Sequence, residues 1–391
     1  MLTDTTPARR LQRTLPGFAG GVRVAIVAES FLPQVNGVTN SVLRVVDHLA
    51  GEGHEVLVLA PGYPPQVSGA RVVALRSLPL PGYADLRLGV PTARTLVREL
   101  EGFGPDVVHL ASPFVLGGPA IRAAERLRLP VVAVYQTDVA GFAQRYGLGG
   151  AAELAWRRVR AIHDHAALTL APSPSAVRDV AEHGIRRVLL WARGVDATAF
   201  SPRHRSAELR ARLAPDGEVL VGFVGRLAAE KRVQDLAAVA DLPGVRVVVV
   251  GDGPERTALE HALPGAVFTG LRRGPELSAL TASLDVAVQT GPHETFCQAA
   301  QEAMASGVPV VGPAAGGVAD LVDPSRTGWL YPPGDLDSLR GHVRDLAGDA
   351  AKRLAMGRAA RAAVAHRTWH SVGEQLVEHY RAATKVRAVT G

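Results

Sequence analysis

One short stretch near the middle of the chain decides the fold: residues 219–231 read VLVGFVGRLAAEK. Its first part, rich in valine and leucine, is typical of a buried strand, and Gly225 ends that strand. The polar residues that follow, Arg226, Glu230 and Lys231, predict a loop and then a helix that starts near Glu230. Strand, loop and helix in this order are the unit of parallel sheets, so we predict an α/β protein.

The same alternation extends from this stretch toward both ends of the chain. Upstream, strands are predicted at residues 22–28, 56–60, 72–74, 107–110, 131–135, 168–171 and 188–191, with a first helix at 40–50. Downstream, strands are predicted at residues 245–250, 267–269, 286–289 and 308–311. Because the pattern restarts near residue 218, we predict two Rossmann-type halves rather than one long sheet.

The length of the chain agrees with this division. A chain of 391 residues exceeds what a single hydrophobic core usually supports. We predict a disordered leader at residues 1–21, a first domain at 22–195, a second domain at 196–368, and a terminal helix and tail at 369–391. The leader lacks the apolar run of a signal peptide, and no run in the chain reaches the roughly 18 apolar residues of a membrane helix.

Composition narrows the class of protein. A hydrophobic content of 47% and a charged content of 20% are typical of a globular protein. The net charge is +6, but aromatics are only 5% and no basic run is interleaved with them, so nucleic-acid binding is not expected. The positive charge either attracts anionic substrates or lipids, or reflects a GC-rich genome that favours arginine and alanine; both interpretations stay open. The single cysteine, Cys297, excludes an internal disulfide and indicates the reducing cytoplasm.

Several common catalytic motifs are missing. The glycines at 251 and 253 do not complete a dinucleotide-binding motif, because residue 256 is an arginine. Pro61 follows the second strand, where a nicotinamide enzyme would have an acidic residue, and no G-x-S-x-G elbow is present. The 13 histidines and one cysteine show no zinc-ligand spacing, so no metal site is predicted. Without a histidine base, Cys297 is interpreted as a packing residue rather than a nucleophile.

Two glutamates eight residues apart, Glu294 and Glu302, are the strongest candidates for a binding site. Residues 295–306 are apolar on one face and predict a helix, so Glu294 would precede its first turn and Glu302 would lie in its second. The helical rise would place them about 10 Å apart, the span from a ribose to a sugar across two phosphates. Free amides at the helix start would face the diphosphate. Two unrelated exposed glutamates are the alternative.

Arg226 and Lys231 supply the charge that such a ligand needs. Arginine offers a planar fork of donors and lysine a compact charge, and a diphosphate is bound well by both together. A pair of solvated surface cations is the alternative interpretation.

Other candidates lie beyond the carboxyl ends of first-half strands, where ligands bind in open α/β sheets. Asn36 and Gly37 stand between the first strand and the first helix, where a bare backbone can approach a phosphate or a sugar. His109 ends the strand at 107–110, and Asp138 ends the next one. For His109, a buried position in the core is the alternative.

These residues resemble a known family. Over residues 22–385 the chain is similar to the retaining GT-B glycosyltransferases of glycosyltransferase family 4, which include sucrose synthase. The resemblance rests on E-x7-E at 294–302, G-R-x-x-x-E-K at 225–231, and R-G-V-D followed by F-x-P within 193–202. The runs AIVAESFLP at 25–33, YQTDV at 135–139 and HETFC at 293–297 look closest to actinobacterial GDP-mannose-dependent α-mannosyltransferases that extend glycolipids.

The resemblance implies a fold and a set of roles. Two Rossmann-like domains would face a cleft, with the donor on the second domain and the terminal helix crossing back to the first. Arg226 and Lys231 would bind the donor phosphates, Glu302 the ribose, and Glu294 the transferred sugar. The remaining implied contacts are Thr295, Phe296 and Cys297 through their amides, His109 with the sugar, Gly37 near the phosphates, Gly270, Leu271 and Arg272 with the base, and Asn36 and Asp138 in the cleft. Thr295-Phe296-Cys297 stands where much of the family has glycines, so the identity of the sugar does not carry over from distant members.

The implied reaction is transfer of mannose from GDP-mannose, with retention, to a hydroxyl of a glycolipid or other glycoside. The nucleotide sugar would be a co-substrate, with no metal and no other cofactor. The alternatives are a UDP-sugar-dependent transferase (sulfoquinovosyl or glucosyl), a GT-B-type epimerase, and a non-catalytic sugar-nucleotide-binding protein. Trp156, Arg157, Arg158 and Arg160 would rest on the anionic inner face of the cell membrane, or else belong to an ordinary amphipathic helix.

Overall fold

The computed structural model describes residues 21–34, 36–80, 83–137 and 149–390. Asp138 lies outside these residues, as does the predicted leader apart from Gly21. The described residues form two parallel sheets flanked by helices, one in each half of the chain. The second sheet begins at Val219, which confirms the predicted restart of the pattern. The predicted boundary at residues 195 and 196 falls between the two sheets.

The first sheet has seven strands in the order β3-β2-β1-β6-β7-β8-β9. They are β1 (Arg23–Ala28), β2 (Glu55–Pro61), β3 (Arg71–Leu75), β6 (Val107–Ala111), β7 (Val131–Val134), β8 (Leu168–Ala171) and β9 (Val188–Leu190). The helices are α1 (Gly37–Gly51), α2 (Ala93–Phe103), α3 (Gly117–Arg126), α4 (Gly149–His163) and α5 (Pro174–Glu182). An antiparallel hairpin, β4 (Ser77–Leu80) with β5 (Tyr83–Gly89), was not predicted.

The second sheet has six strands in the order β12-β11-β10-β13-β14-β15. They are β10 (Val219–Val224), β11 (Val245–Val250), β12 (Val267–Gly270), β13 (Val286–Val288), β14 (Val310–Pro313) and β15 (Gly328–Tyr331). The helices are α6 (Ala207–Leu213), α7 (Ala237–Ala240), α8 (Arg256–Ala262), α9 (Gly274–Ser283), α10 (Gln298–Ala305), α11 (Gly316–Leu321), α12 (Leu336–Gly348) and α13 (Ala350–Val364). Strand β15 was not predicted from the sequence.

The last helix, α14 (Trp369–Thr390), returns to the first half of the molecule and packs against α1, β6 and β7. The chain passes between the halves twice, and the two passages run side by side. Val195 bridges Thr368, and a Cβ at Gly194 would overlap the backbone of Trp369. The buried indole of Trp191 donates to the Val372 carbonyl oxygen at 3.0 Å, and this hydrogen bond holds α14 against the first half of the molecule.

Two predicted helices differ from the structure. The helix expected near Glu230 is replaced by two short 3₁₀ turns, Ala229–Lys231 and Val233–Leu236, because Arg232 between them adopts a left-handed conformation with φ of 51°. The helix expected at 295–306 begins only at Gln298. Among helices of the described residues, none combines the length and apolarity needed to cross a membrane.

Candidate functional site

The loop after β10 carries Arg226 and Lys231 at the carboxyl edge of the second sheet. The neighbouring loop after β11 lies directly against it. A Cβ at Gly251 or Gly253 would overlap a carbonyl oxygen of the first loop, and both glycines have positive φ, 144° and 159°. These glycines, which complete no dinucleotide motif, therefore allow two loop backbones to pack in contact and hold the basic loop in place.

Lys231 forms an ion pair with Glu294, so the structure brings the two sequence clusters together. The side chains are 24% and 19% exposed, and the Thr290 hydroxyl donates to the Lys231 carbonyl oxygen at 2.6 Å. Burial alone would lower the pKa of Lys231, but the charge of Glu294 and its hydrogen bond outweigh burial and raise that pKa. The ammonium group is therefore charged at neutral pH and held at one edge of the site.

Arg226 is far more exposed than Lys231. Its guanidinium pairs with Glu230 one turn later, and 60% of the side chain is accessible. An exposed ion pair contributes little to stability, so another anion can replace the Glu230 carboxylate at little cost. Arg226 is thus free to turn toward a phosphate at low cost.

Glu294 lies in a non-helical loop rather than at the start of a helix. Residues 294–297 precede α10, so a distance of about 10 Å derived from helical rise does not apply to the Glu294–Glu302 pair. The loop is shaped by Gly316 and Gly317 at the start of α11. A Cβ at either would overlap the backbone of Glu294 or Phe296, and the Gly317 amide donates to the Glu294 carbonyl oxygen at 2.7 Å.

Cys297 is buried and precedes the first turn of α10. Its φ of 72° lies in the left-handed region, which favours glycine and is strained for other residues. Burial raises the pKa of the thiol to about 12, aided by the nearby Glu294 carboxylate. A thiol that stays protonated at neutral pH is not a nucleophile, which agrees with its interpretation as a packing residue.

Glu302 lies in the second turn of α10, as predicted, and is partly buried. Burial raises its pKa to about 7, against the opposing effects of a hydrogen bond from Gln298 and the charge of Arg44. Glu302 therefore lies close to half-ionised at neutral pH. Such a carboxyl can accept hydrogen bonds from a pair of hydroxyls or, when protonated, donate one to them, which suits the predicted ribose contact.

Asn36 and Gly37 differ in their availability for a ligand. The Asn36 carboxamide oxygen caps α1, accepting from the amides of Val38 and Thr39 at 3.0 Å, and its nitrogen donates to Ser30 at 2.7 Å. Gly37 is exposed, and a Cβ built on it would meet no atom of the described residues within 4 Å. Asn36 thus acts as the N-cap of α1, while Gly37 leaves open space beside the backbone, where a phosphate is predicted.

Arg193 is a further candidate that the sequence patterns did not single out. Its buried guanidinium donates to the Gln136 side-chain oxygen at 2.5 Å and to the Gly37 carbonyl oxygen at 3.3 Å. Both acceptors are neutral, and burial lowers the pKa to about 10, which still leaves the group charged. Among the described residues no carboxylate neutralises it, so the edge of the first domain carries a positive charge next to Gly37.

Hydrogen bonds between the two halves place these elements beside one another. The Thr295 hydroxyl donates to the Gln136 carbonyl oxygen at 3.0 Å, so the Glu294 loop touches the residue that holds Arg193. Farther along, the Ser175 amide and hydroxyl both donate to Asp320, at 2.7 and 2.6 Å. Lys231, Glu294, Arg193 and Gly37 therefore border one cleft.

His109 is not part of that cleft. It lies in the middle of β6 with 2% exposure, and its Nδ1 is 2.7 Å from the hydroxyl of Tyr380 on α14. Its ring also packs edge-on against Trp191, and burial lowers its pKa to about 3. The alternative of a core histidine is the correct one, and the predicted sugar contact is not retained.

The loop predicted to contact the base, Gly270 to Arg272, follows the edge strand β12. Gly270 has a φ of 75°, Leu271 is exposed, and Arg272 pairs with Glu276 at 3.4 Å on the surface. The loop is accessible to a ligand, and its contact with the base stays a prediction.

Known proteins resemble the chain in both halves. Residues 35–199 match the family model described as Glycosyltransferase Family 4, and residues 205–363 match Glycosyl transferases group 1. A GDP-mannose-dependent alpha-mannosyltransferase of Mycolicibacterium smegmatis is 52% identical over 376 residues, covering 94% of this chain and 99% of the relative. The chain belongs to glycosyltransferase family 4. It is accordingly an enzyme of the glycosyltransferase class, which confirms the resemblance found in the sequence.

Two further comparisons extend this family 4 assignment. A sulfoquinovosyl transferase of Arabidopsis thaliana is 36% identical over 92% of this chain and 74% of its own length. The structure of Anabaena HepE with UDP and glucose superimposes with a TM-score of 0.77 at 20% identity, covering 92% of this chain and all of HepE. The likeness to HepE shows the fold and confirms the GT-B architecture of two Rossmann-like domains.

Proposed function

We propose that this family 4 enzyme is a retaining α-mannosyltransferase that moves mannose from GDP-mannose to a hydroxyl of a glycolipid or other glycoside. The observation that carries the donor assignment is the 52% identity with a GDP-mannose-dependent alpha-mannosyltransferase along nearly the whole chain. The ion pair between Lys231 and Glu294, which joins a phosphate candidate to a sugar candidate, supports the reaction class.

The proposed donor lies with its diphosphate between the two domains. Lys231 and Arg226 approach the phosphates from the second domain, and Arg193 with the bare backbone of Gly37 approaches from the first. Glu294 accepts hydrogen bonds from hydroxyls of the transferred sugar, and Glu302 from the ribose. The cations stabilise the negative charge that develops on the leaving diphosphate, as preorganised positive groups do in other phosphate-releasing sites. We propose that no metal takes part in this step.

Retention is proposed to follow the front-face route suggested for the family. The bond from the anomeric carbon to the phosphate oxygen breaks, and the acceptor oxygen bonds to the same face of that carbon. The acceptor proton passes to an oxygen of the departing phosphate. In this scheme no side chain acts as a covalent nucleophile, which suits the protonated, buried Cys297.

A donor screen tests the proposal. The purified enzyme is incubated with GDP-mannose, other GDP-sugars and UDP-sugars, each with and without glycolipid acceptors, and the products are analysed by mass spectrometry. Mannosylated acceptor formed from GDP-mannose supports the proposal. Transfer only from a UDP-sugar would favour the sulfoquinovosyl or glucosyl alternative, for which the Arabidopsis relative is the specific observation. Donor conversion without acceptor indicates an epimerase, and binding without turnover indicates a sensor.

Peripheral contact with an anionic membrane is proposed through α4 in a revised form. Trp156 is buried, stacking on His183 with centroids 3.6 Å apart, so it does not form part of the predicted lipid patch. Arg158 is exposed, and its guanidinium donates to the Phe114 and Val115 carbonyl oxygens. Leu154 and Arg157 are 66% and 70% exposed on the same helix and supply an apolar and a basic group, and the exposed pair of Arg157 with Glu153 at 3.4 Å would have to open for the contact. Vesicles with and without anionic lipid at low salt test this contact, and loss of binding in Leu154→Ser with Arg157→Ser would support it.

A further inference from the structure

Four potential metal ligands meet where the terminal helix crosses the first helix of the molecule. His48 and Glu52 stand four residues apart at the end of α1, and His370 and Glu374 stand four residues apart at the start of α14. Side chains spaced by four residues lie on one face of a helix. One nitrogen or oxygen of each residue lies within 4.8 Å of one from every other member. We name this group the His/Glu quartet.

The His/Glu quartet has one fixed member and three adjustable ones. The His48 side chain is only 7% exposed, and Gly373 of α14 leaves the space that its ring occupies, because a Cβ there would overlap the ring. The side chains of Glu52, His370 and Glu374 are 46%, 67% and 53% exposed. A rigid ligand surrounded by mobile ones can adjust to a metal by side-chain rotation alone.

His48 Nε2 also lacks a satisfactory partner. It is buried and makes no hydrogen bond of acceptable geometry with any residue that the structure describes, although Glu374 Oε1 lies 3.3 Å away. The corresponding contact in the other pair, His370 Nδ1 to Glu52 Oε1, is 3.8 Å. Buried polar nitrogens in folded proteins are normally hydrogen-bonded, so an unpaired one facing three further ligands indicates a missing partner.

We propose that the His/Glu quartet binds one divalent transition metal ion, with Zn²⁺ the best match, and that the ion ties α14 to α1. Two imidazoles and two carboxylates are ligands that zinc accepts in tetrahedral sites. At zinc–ligand distances of about 2.0–2.2 Å, tetrahedral ligand atoms lie roughly 3.3–3.6 Å apart, which three rotating side chains can reach. The two carboxylates, Glu52 and Glu374, balance the charge of a divalent ion.

The bound metal has a structural role, distinct from the glycosyl transfer at the cleft. It joins two segments that are more than 300 residues apart in the sequence and adds to the two buried anchors of α14, Tyr380 against His109 and Val372 against Trp191. Because ions that bind only the folded state stabilise it in proportion to their concentration, zinc should raise the melting temperature of the protein.

Calorimetric titration of the chelator-treated protein with ZnCl₂ tests the proposal. We expect one ion per chain, a melting temperature that rises with zinc, and a tetrahedral Co²⁺ spectrum when cobalt replaces zinc. His370→Ala on α14 and Glu52→Gln at the end of α1 should each weaken zinc binding by about tenfold or more, since even loss of an outer-shell partner costs 10–100-fold. The matched control is His165→Ala, an exposed histidine whose Nε2 is 3.8 Å from Glu125, which should bind zinc like the wild type.

Several results would overturn the proposal. Wild-type protein that binds no stoichiometric zinc at micromolar concentration contradicts it directly. Unchanged binding in Glu52→Gln would remove Glu52 from the ligand set and contradict the proposed four-ligand site. Both substituted side chains are well exposed, so the variants should fold, and equal melting temperatures in chelator verify this. If the variants lose the same stability in zinc and in chelator, the four residues form only two ion pairs and bind no metal.

Discussion

The ion pair between Lys231 and Glu294 gives the sharpest prediction for the donor site. In the free protein, Glu294 neutralises the charge of Lys231. If Lys231 binds the donor phosphates, Lys231→Ala removes that contact and leaves the Glu294 carboxylate unopposed beside an anion. A charge-assisted hydrogen bond in a partly buried site contributes about 2–4 kcal/mol to transition-state binding, so kcat/KM should fall by roughly 30- to 1000-fold.

Glu294→Gln should behave differently with two ligands. GDP carries the phosphates but no transferred sugar, so removing the carboxylate should leave GDP binding unchanged or tighter, because Lys231 is then no longer neutralised. GDP-mannose would lose its contact with Glu294, so turnover should fall although GDP still binds. Lys231→Ala should weaken the binding of both ligands. Calorimetry with GDP and steady-state kinetics with GDP-mannose measure these opposite patterns.

Lys352→Ala is the matched control for this experiment. Lys352 also belongs to the second domain and also pairs with a carboxylate, Asp345 at 2.5 Å, but on the outer surface. Its loss should leave GDP affinity and kcat/KM at wild-type values. Wild-type GDP affinity in Lys231→Ala would refute the phosphate assignment, provided that its melting temperature shows a folded protein.

Three further predictions concern the first domain and the ribose contact. Gly37→Ala should leave the melting temperature equal or higher, since its Cβ would meet no described atom within 4 Å and alanine favours helices over glycine by about 1 kcal/mol. The same change should raise the KM for the donor if a phosphate passes beside Gly37; an unchanged KM would exclude that approach. Arg193→Gln should weaken GDP binding about tenfold or more, measured by calorimetry, because a charged donor is lost; retained affinity would assign Arg193 to packing alone. Burial raises the pKa of Glu302 to about 7, so the ionised fraction of its carboxyl increases as the pH rises through about 7. Donor affinity should therefore rise over the same range, and Glu302→Gln should flatten the profile; a Glu302→Gln profile that still rises through pH 7 would contradict this.

The strands were predictable because buried parallel strands are continuous apolar runs. The runs at Val219–Val224 and Val245–Val250 have the predicted bounds. The start of α10 was misplaced because Phe296 and Cys297 continue the apolar pattern. Their backbone follows instead the close approach of Gly316 and Gly317, a contact between distant segments that no local pattern contains.

The predicted sugar contact of His109 was wrong for a related reason, a contact with a segment distant in the sequence. Successive residues of a strand point to opposite faces of the sheet. Val107 and Ala111 pack in the core shared with α1 and α14, whereas Val108 and Leu110 pack in the core on the other face. His109 therefore points toward α14 and Tyr380. The sequence places a histidine in the strand but does not say that a helix 271 residues later will cover that face.

The position of Arg193 connects the fold with the proposed chemistry. It lies at the passage between the domains, where its carbonyl oxygen accepts from Gln301 on α10 while its guanidinium reaches Gly37 and Gln136 in the first domain. Gln136 in turn accepts from Thr295, next to Glu294. A buried cation with only neutral partners is costly unless an anion completes its surroundings. Because Arg193 contacts the first domain through its guanidinium and the second domain through its backbone carbonyl oxygen, a diphosphate bound beside it would stabilise the contact between the domains. Donor binding should therefore favour the closed arrangement of the cleft.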